Sequence, residues 1–404
     1  PSYEKMEGIV AGTPSLAQFD VDLDAGAAAA DDPEGAVSFD LTLPDGRVLD
    51  RGYVLPVSDL SPPVARTARF SLNPGESFTF DDAPFAGVVA GTGTATLSVG
   101  ALARLDAPGL LLALDAVPWG CTEQVASQTL PLLYLAEVAR ALSLRGSADL
   151  DRRIGDAVAT LLANQDASGG FGLWGPGSGD LWLDAYVTDV LSRARATGRA
   201  VPEPAFRAAL DNLRNAVAYY PDFEGGGEDL AYALLVLARE GQALVGDLRY
   251  FADQKAGDFG SPLAVAQLGA ALALTGDQPR ADRLFAQAEA RLDAAPPEPL
   301  ASVWRDDYGT RRRDEAAVLA LAVESGSQAV DRARLAASLA AQADVPASTQ
   351  EAAWTLLAAA ALAGDLRAEG VTVDGAAPAG PVVERRDEGE PAVTVANGGG
   401  APVD

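Results

Sequence analysis

The stretch Pro118-Trp119-Gly120-Cys121-Thr122-Glu123-Gln124 holds the only cysteine of the 404-residue chain. A thiolate is a strong nucleophile, and the side-chain carboxamide of Gln124 offers it an acyl carbon three residues away. If the backbone turns between them, attack with loss of ammonia leaves a thioester between the Cys121 sulfur and the Gln124 side-chain carbonyl. Such a bond lasts only where water is excluded. The sequence therefore predicts an internal thioester that the rest of the chain shields.

The residues beside this pair suit a shielded acyl group. Gly120 permits a tight backbone conformation, and Trp119 offers a broad apolar cover. Proline is favoured in the first turn of a helix, so Pro131 predicts a helix that begins just after the Cys-Thr-Glu-Gln segment. Backbone N–H groups at that helix start would polarise the acyl oxygen. A buried structural cysteine is the alternative interpretation.

The motif Gly120-Cys121-Thr122-Glu123-Gln124 resembles the Gly-Cys-x-Glu-Gln thioester signature of the alpha-2-macroglobulin and complement superfamily. Residues 117–135 resemble the bacterial alpha-2-macroglobulin branch of that superfamily. Segments of the later chain resemble it too: Gly169–Trp174, Asp229–Ala233, Ser261–Ala264 and Ser348–Ala352. The resemblance covers most of the chain and implies supporting roles for Gly120, Thr122 and Glu123 beside the thioester pair.

The first hundred residues read as β structure. Residues 37–43 alternate apolar and polar side chains, and Pro44-Asp45-Gly46 turns the chain into residues 47–55, which predicts a hairpin. Further strands are predicted later, and the last two would complete the sheet begun before the helices. These strands are 68–72, 77–80, 94–99, 371–373 and 392–395.

Residues 107–367 carry apolar side chains at helical spacing. Loops with an aromatic residue beside glycine recur at Phe171, Phe223, Phe259 and Tyr308, a spacing suited to one helical hairpin per repeat. Such repeats predict an α/α toroid if they close and an open helical solenoid if they do not.

The resemblance implies a multidomain α and β architecture. An α/α toroid thioester domain, residues 107–367, would be inserted in a CUB-like β-sandwich domain made of residues 56–106 and 368–404. Residues 1–55 would be part of a macroglobulin-like β domain. Because the chain starts at Pro1 without an initiating Met, we expect a fragment of a longer protein.

Composition excludes several classes of function. Thirty Lys and Arg against 57 Asp and Glu give a net charge of −27, which disfavours nucleic acid and anionic lipid as partners. The absence of histidine excludes Ser-His and Cys-His catalysis and ordinary zinc sites within this chain. No apolar run is long enough to span a membrane. We expect no cofactor and no metal.

Aromatic and acidic side chains supply the remaining candidates. Trp119, Trp174, Trp182 and Tyr186 are candidates to shield the thioester pocket, with plain core packing as the alternative. Three acidic pairs could hold magnesium or act as acid and base: Asp306-Asp307, Asp314-Glu315 and Glu228-Asp229. Arginines at 305 and 311–313 instead favour solvated ion pairing at a helix start for the first of these pairs.

The function implied by the resemblance is covalent capture rather than enzymatic turnover. A protease would cleave a bait segment elsewhere in the full protein, and a lysine amine of that protease would attack the Gln124 acyl carbon and free the Cys121 thiol. Other domains of the same chain would be partners, in the periplasm or cell envelope. Without a histidine relay, we expect transfer to amines rather than hydroxyls. A helical-toroid lyase or hydrolase, or a structural binding module with an inactive thioester motif, stays open.

Overall fold

Among the described residues, a β-hairpin comes first, and a mostly helical unit with small sheets follows it. The computed structural model describes residues 34–43, 45–56, 64, 66–117, 120–144, 146–294, 305–363, 370–378 and 380–403. Contacts within the chain define two units, residues 1–67 and residues 68–404.

The first unit contains the predicted hairpin. Strand β1 (Glu34–Thr42) pairs antiparallel with β2 (Val48–Pro56). Gly46 lies in the turn with a positive φ of 83°, a conformation that glycine adopts without steric cost. The hairpin prediction is confirmed.

Five strands of the second unit lie on both sides of the helices in sequence. They are β3 (Ser77–Phe80), β4 (Thr94–Val99), β5 (Val371–Val373), β6 (Val382–Asp387) and β7 (Val393–Asn397). Strand β7 lies between β3 and β5, and β4 pairs with β6, all antiparallel. Strands after the helices therefore pair with strands before them, as predicted. The predicted strand at 68–72 is wrong, since only Leu72 forms an isolated bridge there, to Val403.

Helices occupy the chain between β4 and β5. They are α1 (Ala101–Arg104), α2 (Ala107–Asp115), α3 (Thr122–Leu132), α4 (Ala136–Ala141), α5 (Leu150–Ala163), α6 (Leu181–Ala196), α7 (Glu203–Ala218), α8 (Glu228–Arg239), α9 (Val245–Tyr250), α10 (Pro262–Leu274), α11 (Gln278–Ala294), α12 (Arg311–Glu324), α13 (Arg332–Ala340) and α14 (Thr349–Ala363). A π-helical turn, Phe251–Lys255, follows α9. Within the described ranges, none of the helices is long and apolar enough to cross a membrane.

Six of these helices form a closed succession of contacts. Helices α3, α6, α8, α10, α12 and α14 each pack against the next, and α14 packs back against α3. These six helices lie in the interior of the unit. In α8, for example, every residue from Leu230 to Ala238 is buried, as expected for a helix that is apolar on all sides. By contrast, α5 buries one stripe, made of Leu150, Ile154, Val158 and Leu161. One-sided helices such as α5 cover the six central ones.

Side-chain caps define where three of the central helices begin. Asp180 accepts a hydrogen bond from the Leu183 N–H at 3.0 Å, Ser261 from Ala264 at 3.2 Å, and Thr310 from Arg313 at 3.1 Å. Each cap satisfies a backbone donor that the helix itself leaves unpaired.

A buried ion cluster ties α6 to α8 and α12. Arg193 is 1% exposed and bonds Asp189 at 3.0 Å, Glu324 at 2.8 and 3.0 Å, and the Tyr134 hydroxyl at 3.0 Å. Arg239 of α8 lies 3.1 Å from the other Asp189 oxygen. Burial alone would raise the pKa of Asp189, but Arg193 and Arg239 hold it below its usual value.

Candidate functional site

Cys121 and Gln124 meet at the start of α3. Cys121 is the N-cap residue, and the Gln124 backbone N–H faces its sulfur. The Gln124 side chain reaches back, so that the Cys121 N–H donates to Gln124 Oε1 at 3.4 Å. The structure thus closes a capping box in which cysteine takes the place of serine or threonine. It holds the thiol and the carboxamide of the predicted pair at one helix end.

The helix does not start where proline suggested. Thr122 opens α3 and Pro131 lies near its end, ten residues after Cys121. The prediction from Pro131 is wrong because the capping box, and not the proline, sets the first turn. Pro131 is followed by the end of the helix, in accord with the lost N–H donor of proline. The consequence favours the predicted chemistry, since the free N–H groups of the first turn lie beside the sulfur.

Thr122 anchors the helix start to the loop after α5. Its N–H donates to the Leu173 carbonyl at 2.9 Å, and its hydroxyl donates to the Gly172 carbonyl at 2.6 Å. Asn164 completes the junction by donating to the Thr122 hydroxyl at 2.8 Å. A Cβ at Gly172 would lie 2.1 Å from the Gly175 carbonyl oxygen, so this tight loop requires glycine there. The position of Cys121 therefore depends on a loop fifty residues away in sequence.

Glu123 is buried beside the pair, 5% exposed. Its carboxylate accepts hydrogen bonds from Ser127 at 2.7 Å, from the Thr349 hydroxyl at 2.9 and 3.0 Å, and from the Gln350 amide at 2.7 Å. Ser127 also shares a 2.8 Å hydrogen bond with the Tyr186 hydroxyl. The first turn of α3 is thus joined to the first turn of α14.

The predicted shielding residues have different environments. Trp182 and Tyr186 are 3% and 0% exposed and stack at 5.1 Å, whereas Trp174 is 72% exposed and is not packed into the core. Trp119 lies outside the described residues. Tyr308, which sequence reasoning placed only in a repeat, stacks on Trp182 at 5.0 Å and donates to Asp180 at 3.3 Å.

The charged surroundings of the thiol are acidic. Burial raises the pKa of Cys121, and the negative charge of Glu123 raises it further, against the lowering effect of backbone N–H groups. Tyr308 interacts electrostatically with Asp180, Glu123 and Cys121, and burial is the main reason that its own pKa is raised. A protonated thiol is therefore favoured in this pocket over a thiolate.

Asp184 supports the loop that carries Gly172. Its carboxylate accepts from the Phe171 N–H at 2.6 Å and from the Asn212 amide at 2.8 Å. Burial raises the pKa of Asp184 to about 6, and the carboxylates of Asp180 and Asp166 add to the shift. An unfolded aspartate titrates near 3.8, so the folded state binds the extra proton between these two values.

Replacing Asp184 with asparagine should remove a pH dependence of stability. The favourable contribution of the protonated acid is fully present below pH 3.8 and is lost as the pH rises through about 6. We expect the wild-type free energy of unfolding, measured against Asp184→Asn by urea denaturation, to gain about 2 kcal/mol from pH 7 to pH 4. Asp211→Asn, at an exposed ion pair with Arg214, should keep the wild-type profile. A constant difference between wild type and Asp184→Asn would contradict this.

Two of the acidic residues considered as catalytic candidates, Asp307 and Asp314, form ion pairs with arginine. Asp307 binds Arg305 at 2.6 Å and Arg313 at 2.5 Å, and Asp314 binds the same two arginines at 2.9 and 2.8 Å. The expected ion pairing is present, but the expectation that it is solvated is wrong, because Arg313, Asp307 and Asp314 are at most 5% exposed.

Two of the other acidic candidates, Asp229 and Glu315, also have neutral or cationic partners. Asp229 accepts from the Tyr220 hydroxyl at 2.5 Å, and Glu315 lies 3.3 Å from Arg311. Among the residues that the structure describes, no three His, Cys, Asp or Glu side chains are grouped to hold a metal ion.

Two bacterial proteins share this sequence pattern over long stretches. Alpha-2-macroglobulin of Escherichia coli K12 is 35% identical over 225 residues, which cover 52% of this chain and 13% of that protein. Alpha-2-macroglobulin of Xylella fastidiosa Temecula1 is 31% identical over 296 residues, covering 69% of this chain and 17% of that protein. The chain thus spans less than a fifth of these relatives. No protein-family model matches it.

Solved structures resemble the chain over 92% of its length. Native E. coli alpha-2-macroglobulin from domain MG7 to the C-terminus superposes with a TM-score of 0.66 at 27% identity, and 61% of that chain is covered. Salmonella alpha-2-macroglobulin reacted with methylamine gives the same score and identity over 25% of its chain. Trypsin-activated E. coli alpha-2-macroglobulin gives 0.55 at 27% identity over 27% of its chain.

Proposed function

Because this chain is related in sequence and structure to a segment of the bacterial alpha-2-macroglobulins, we propose that it is the covalent capture module of a protease inhibitor of that kind. The capping box that joins Cys121 to Gln124 is the observation that carries the proposal. Cys121 is 7% exposed, while Gln124 is partly exposed. Gln124 is thus the more exposed of the two residues.

The chemistry balances with the residues present. The Cys121 thiol loses its proton and attacks the Gln124 carboxamide carbon, and ammonia leaves. A lysine amine of the captured protease then attacks the same carbon and forms an amide, and the sulfur leaves and takes up a proton. Gln124 is the electrophile and Cys121 the leaving group. Neither step requires a metal or an organic cofactor.

The architecture proposed for this module is an α/α toroid within a CUB-like domain. The closed succession of contacts from α3 through α14 supports the toroid, assigned to residues 107–367. Pairing of β3 with β7 and of β4 with β6 supports insertion between residues 56–106 and 368–404. Residues 1–55, which include the hairpin, are assigned to a macroglobulin-like domain, in keeping with the MG7 domain of the matched E. coli structure.

The proposed partners are proteases and the other domains of a longer protein. Trypsin activates the E. coli relative of known structure, which supports protease recognition here. Cleavage of a bait segment elsewhere in the protein would expose the acyl group. The proposed location is the periplasm or cell envelope, where bacterial relatives of this kind would meet foreign proteases.

The chain offers little competition for its own acyl group. Lys255 is the one lysine among the described residues, and its ammonium lies 2.7 Å from Asp222 and 3.0 Å from Asp258. Hydrogen bonds to these carboxylates raise the pKa of Lys255, so the amine stays protonated and is not a nucleophile. Among the described residues, an acyl group on Gln124 thus meets no lysine that is free of a carboxylate partner.

Labelling with small nucleophiles tests the proposal. We expect methylamine to give one adduct, on Gln124, together with a newly titratable Cys121 thiol, and glycerol to give far less adduct. The reason is that no histidine is present in the chain to relay the acyl group to hydroxyls. Peptide mass spectrometry of the complete native protein measures both.

Other labelling results would favour other functions. Equal labelling by glycerol and methylamine would contradict direct transfer to amines. Absence of any adduct would favour a structural module with an inactive motif. A lyase or hydrolase has less support, because the carboxylates of Asp307 and Asp314 are neutralised by Arg305 and Arg313.

A further inference from the structure

The Glu123 carboxylate is buried without a cationic partner among its hydrogen bonds. Its contacts come from Ser127, Thr349 and Gln350, all of them neutral. Taking a carboxylate out of water is costly, and neutral donors compensate less than a cation would. Elsewhere the chain pairs buried carboxylates with arginine, as at Asp189 and Arg193. Asp184 is likewise held by neutral donors, but Glu123 differs from it in lying two residues from Cys121 and next to Gln124.

Thr349 and Gln350 hold the Glu123 carboxylate in one position by hydrogen bonds. The Gln350 Nε2 atom donates to both Glu123 and Ser127, while its Oε1 atom is buried with no hydrogen-bond partner. Rotating that amide would place an oxygen against the carboxylate and repel it. Thr349 lies within 3.0 Å of both carboxylate oxygens. Thr349 and Gln350 thus fix the charge next to Gln124, although they lie 226 and 227 positions away from Glu123 in the sequence.

We propose that Glu123, held by Thr349 and Gln350 of α14, is a positioning residue whose fixed charge opposes departure of the Cys121 sulfur from the acyl carbon. This inference rests on the function proposed above. Acyl transfer breaks the carbon–sulfur bond and leaves a thiolate that must then take up a proton. A negative charge held two residues away raises the energy of that thiolate and of the transition state leading to it. The resting acyl group is thereby kept on sulfur.

Among the described residues, Tyr308 is a further titratable side chain that interacts electrostatically with Cys121, and it interacts with Asp180 as well. Asp180 adds a carboxylate to the pocket and Tyr308 adds a hydroxyl. Neither side chain supplies a positive charge. The contact between α14 and Glu123 closes the succession of helices that begins at α3. Opening this contact would let the carboxylate move away from its fixed position. The same contact thus links the helix arrangement to the reactivity of the sulfur.

Glu123→Gln tests the charge with little change of shape. In the complete native protein treated with methylamine, iodoacetamide should alkylate the Cys121 thiol of this variant roughly two- to tenfold faster at neutral pH, with a lower thiol pKa. Methylamine should consume the acyl group of the untreated variant faster by a similar factor. A purely structural role would change the unfolding temperature without changing either rate ratio.

Two threonine variants separate charge from packing. Thr349→Val removes one donor but keeps the charge, which Ser127 and Gln350 still hold, so it should lower the unfolding temperature and accelerate alkylation less than Glu123→Gln does. Thr355→Val lies on the same helix and removes a buried hydroxyl that has no partner, so it should match wild type in alkylation. Equal alkylation of Glu123→Gln and wild type overturns the inference. Alkylation accelerated equally by Thr349→Val overturns it as well.

Failure of this inference is distinct from failure of the proposed function. The function is judged on the wild-type protein alone, by whether methylamine adds to Gln124. The inference is judged on the alkylation rate of Glu123→Gln relative to wild type, which requires only a Cys121 thiol. Suppose that methylamine gives no adduct with the wild-type protein, but iodoacetamide alkylates its Cys121 more slowly than that of Glu123→Gln. The electrostatic role of Glu123 would then stand, and the capture function would be rejected.

Discussion

Replacing Cys121 with alanine is expected to abolish methylamine incorporation and every covalent conjugate with protease. Cys121 carries the only thiol of the chain, and it lies in the same capping box as its acyl partner. Without it the Gln124 carboxamide is an ordinary amide, which amines do not attack at neutral pH. The intact wild-type chain should also be lighter by one ammonia than the sequence requires, and the variant should not.

Two further variants make this measurement specific. Gln124→Glu mimics the hydrolysed product and should show a reactive thiol but no adduct. Gln328→Glu makes the same chemical change at an exposed amide far along the chain and should label as wild type does. Methylamine bound to a Cys121→Ala chain at the wild-type level would refute the thioester and leave the family relation standing.

Replacing Arg193 with methionine is expected to lower the free energy of unfolding by about 3 to 5 kcal/mol, the usual cost of removing one partner from a buried ion pair. Arg193 is 1% exposed, and its loss leaves the Asp189 carboxylate, 0% exposed, without its guanidinium donor and with only the Tyr232 hydroxyl donating to it, at 3.1 Å. Arg239 remains 3.1 Å from Asp189 as a cation but without a hydrogen bond to it, so it offsets part of the lost interaction.

Urea unfolding followed by tryptophan fluorescence measures this loss. Arg214→Met is the matched control, since the Arg214–Asp211 pair is about half exposed and such pairs contribute at most about 1 kcal/mol. The folded Arg193→Met protein should still react with methylamine, because Arg193 makes no contact with Cys121 or Gln124 in the structure. Equal losses for both arginine variants would show that the buried cluster is not a special source of stability.

Local sequence predicted local structure well. Alternation of side chains and a Pro-Asp-Gly turn located the first hairpin, and β3 and β4 lie at the predicted residues. Strand β6 was missed because Val382–Asp387 does not alternate: its Arg386 is 3% exposed, stacks over Phe80 and bonds the Pro391 carbonyl. An arginine buried in this way depends on partners that no local pattern shows.

The candidate site divides in the same way. Cys121 and Gln124 were found because their chemistry depends on three residues of spacing. The hydrogen bond from Thr349 to Glu123 and that from Asn164 to Thr122 were not predicted, since the partners are 226 and 42 residues apart in sequence. The helix start predicted from Pro131 was wrong because this proline lies in the last turn of α3, where the helix ends one residue later, and not in the first turn. Long-range contacts of this kind follow from the tertiary fold.

The pairing of β4 with β6 also determines how the helical unit would respond to mechanical force. Thr94 and Asp387 are register partners at the end of this pair that lies farthest along the chain from the helices. Tension applied through the flanking chain would first separate β3 from β7, and would then reach Thr94 and Asp387 together and open the β4–β6 ladder one bond at a time. Breaking hydrogen bonds one at a time requires little force, so β4 and β6 would separate before any helix is stretched.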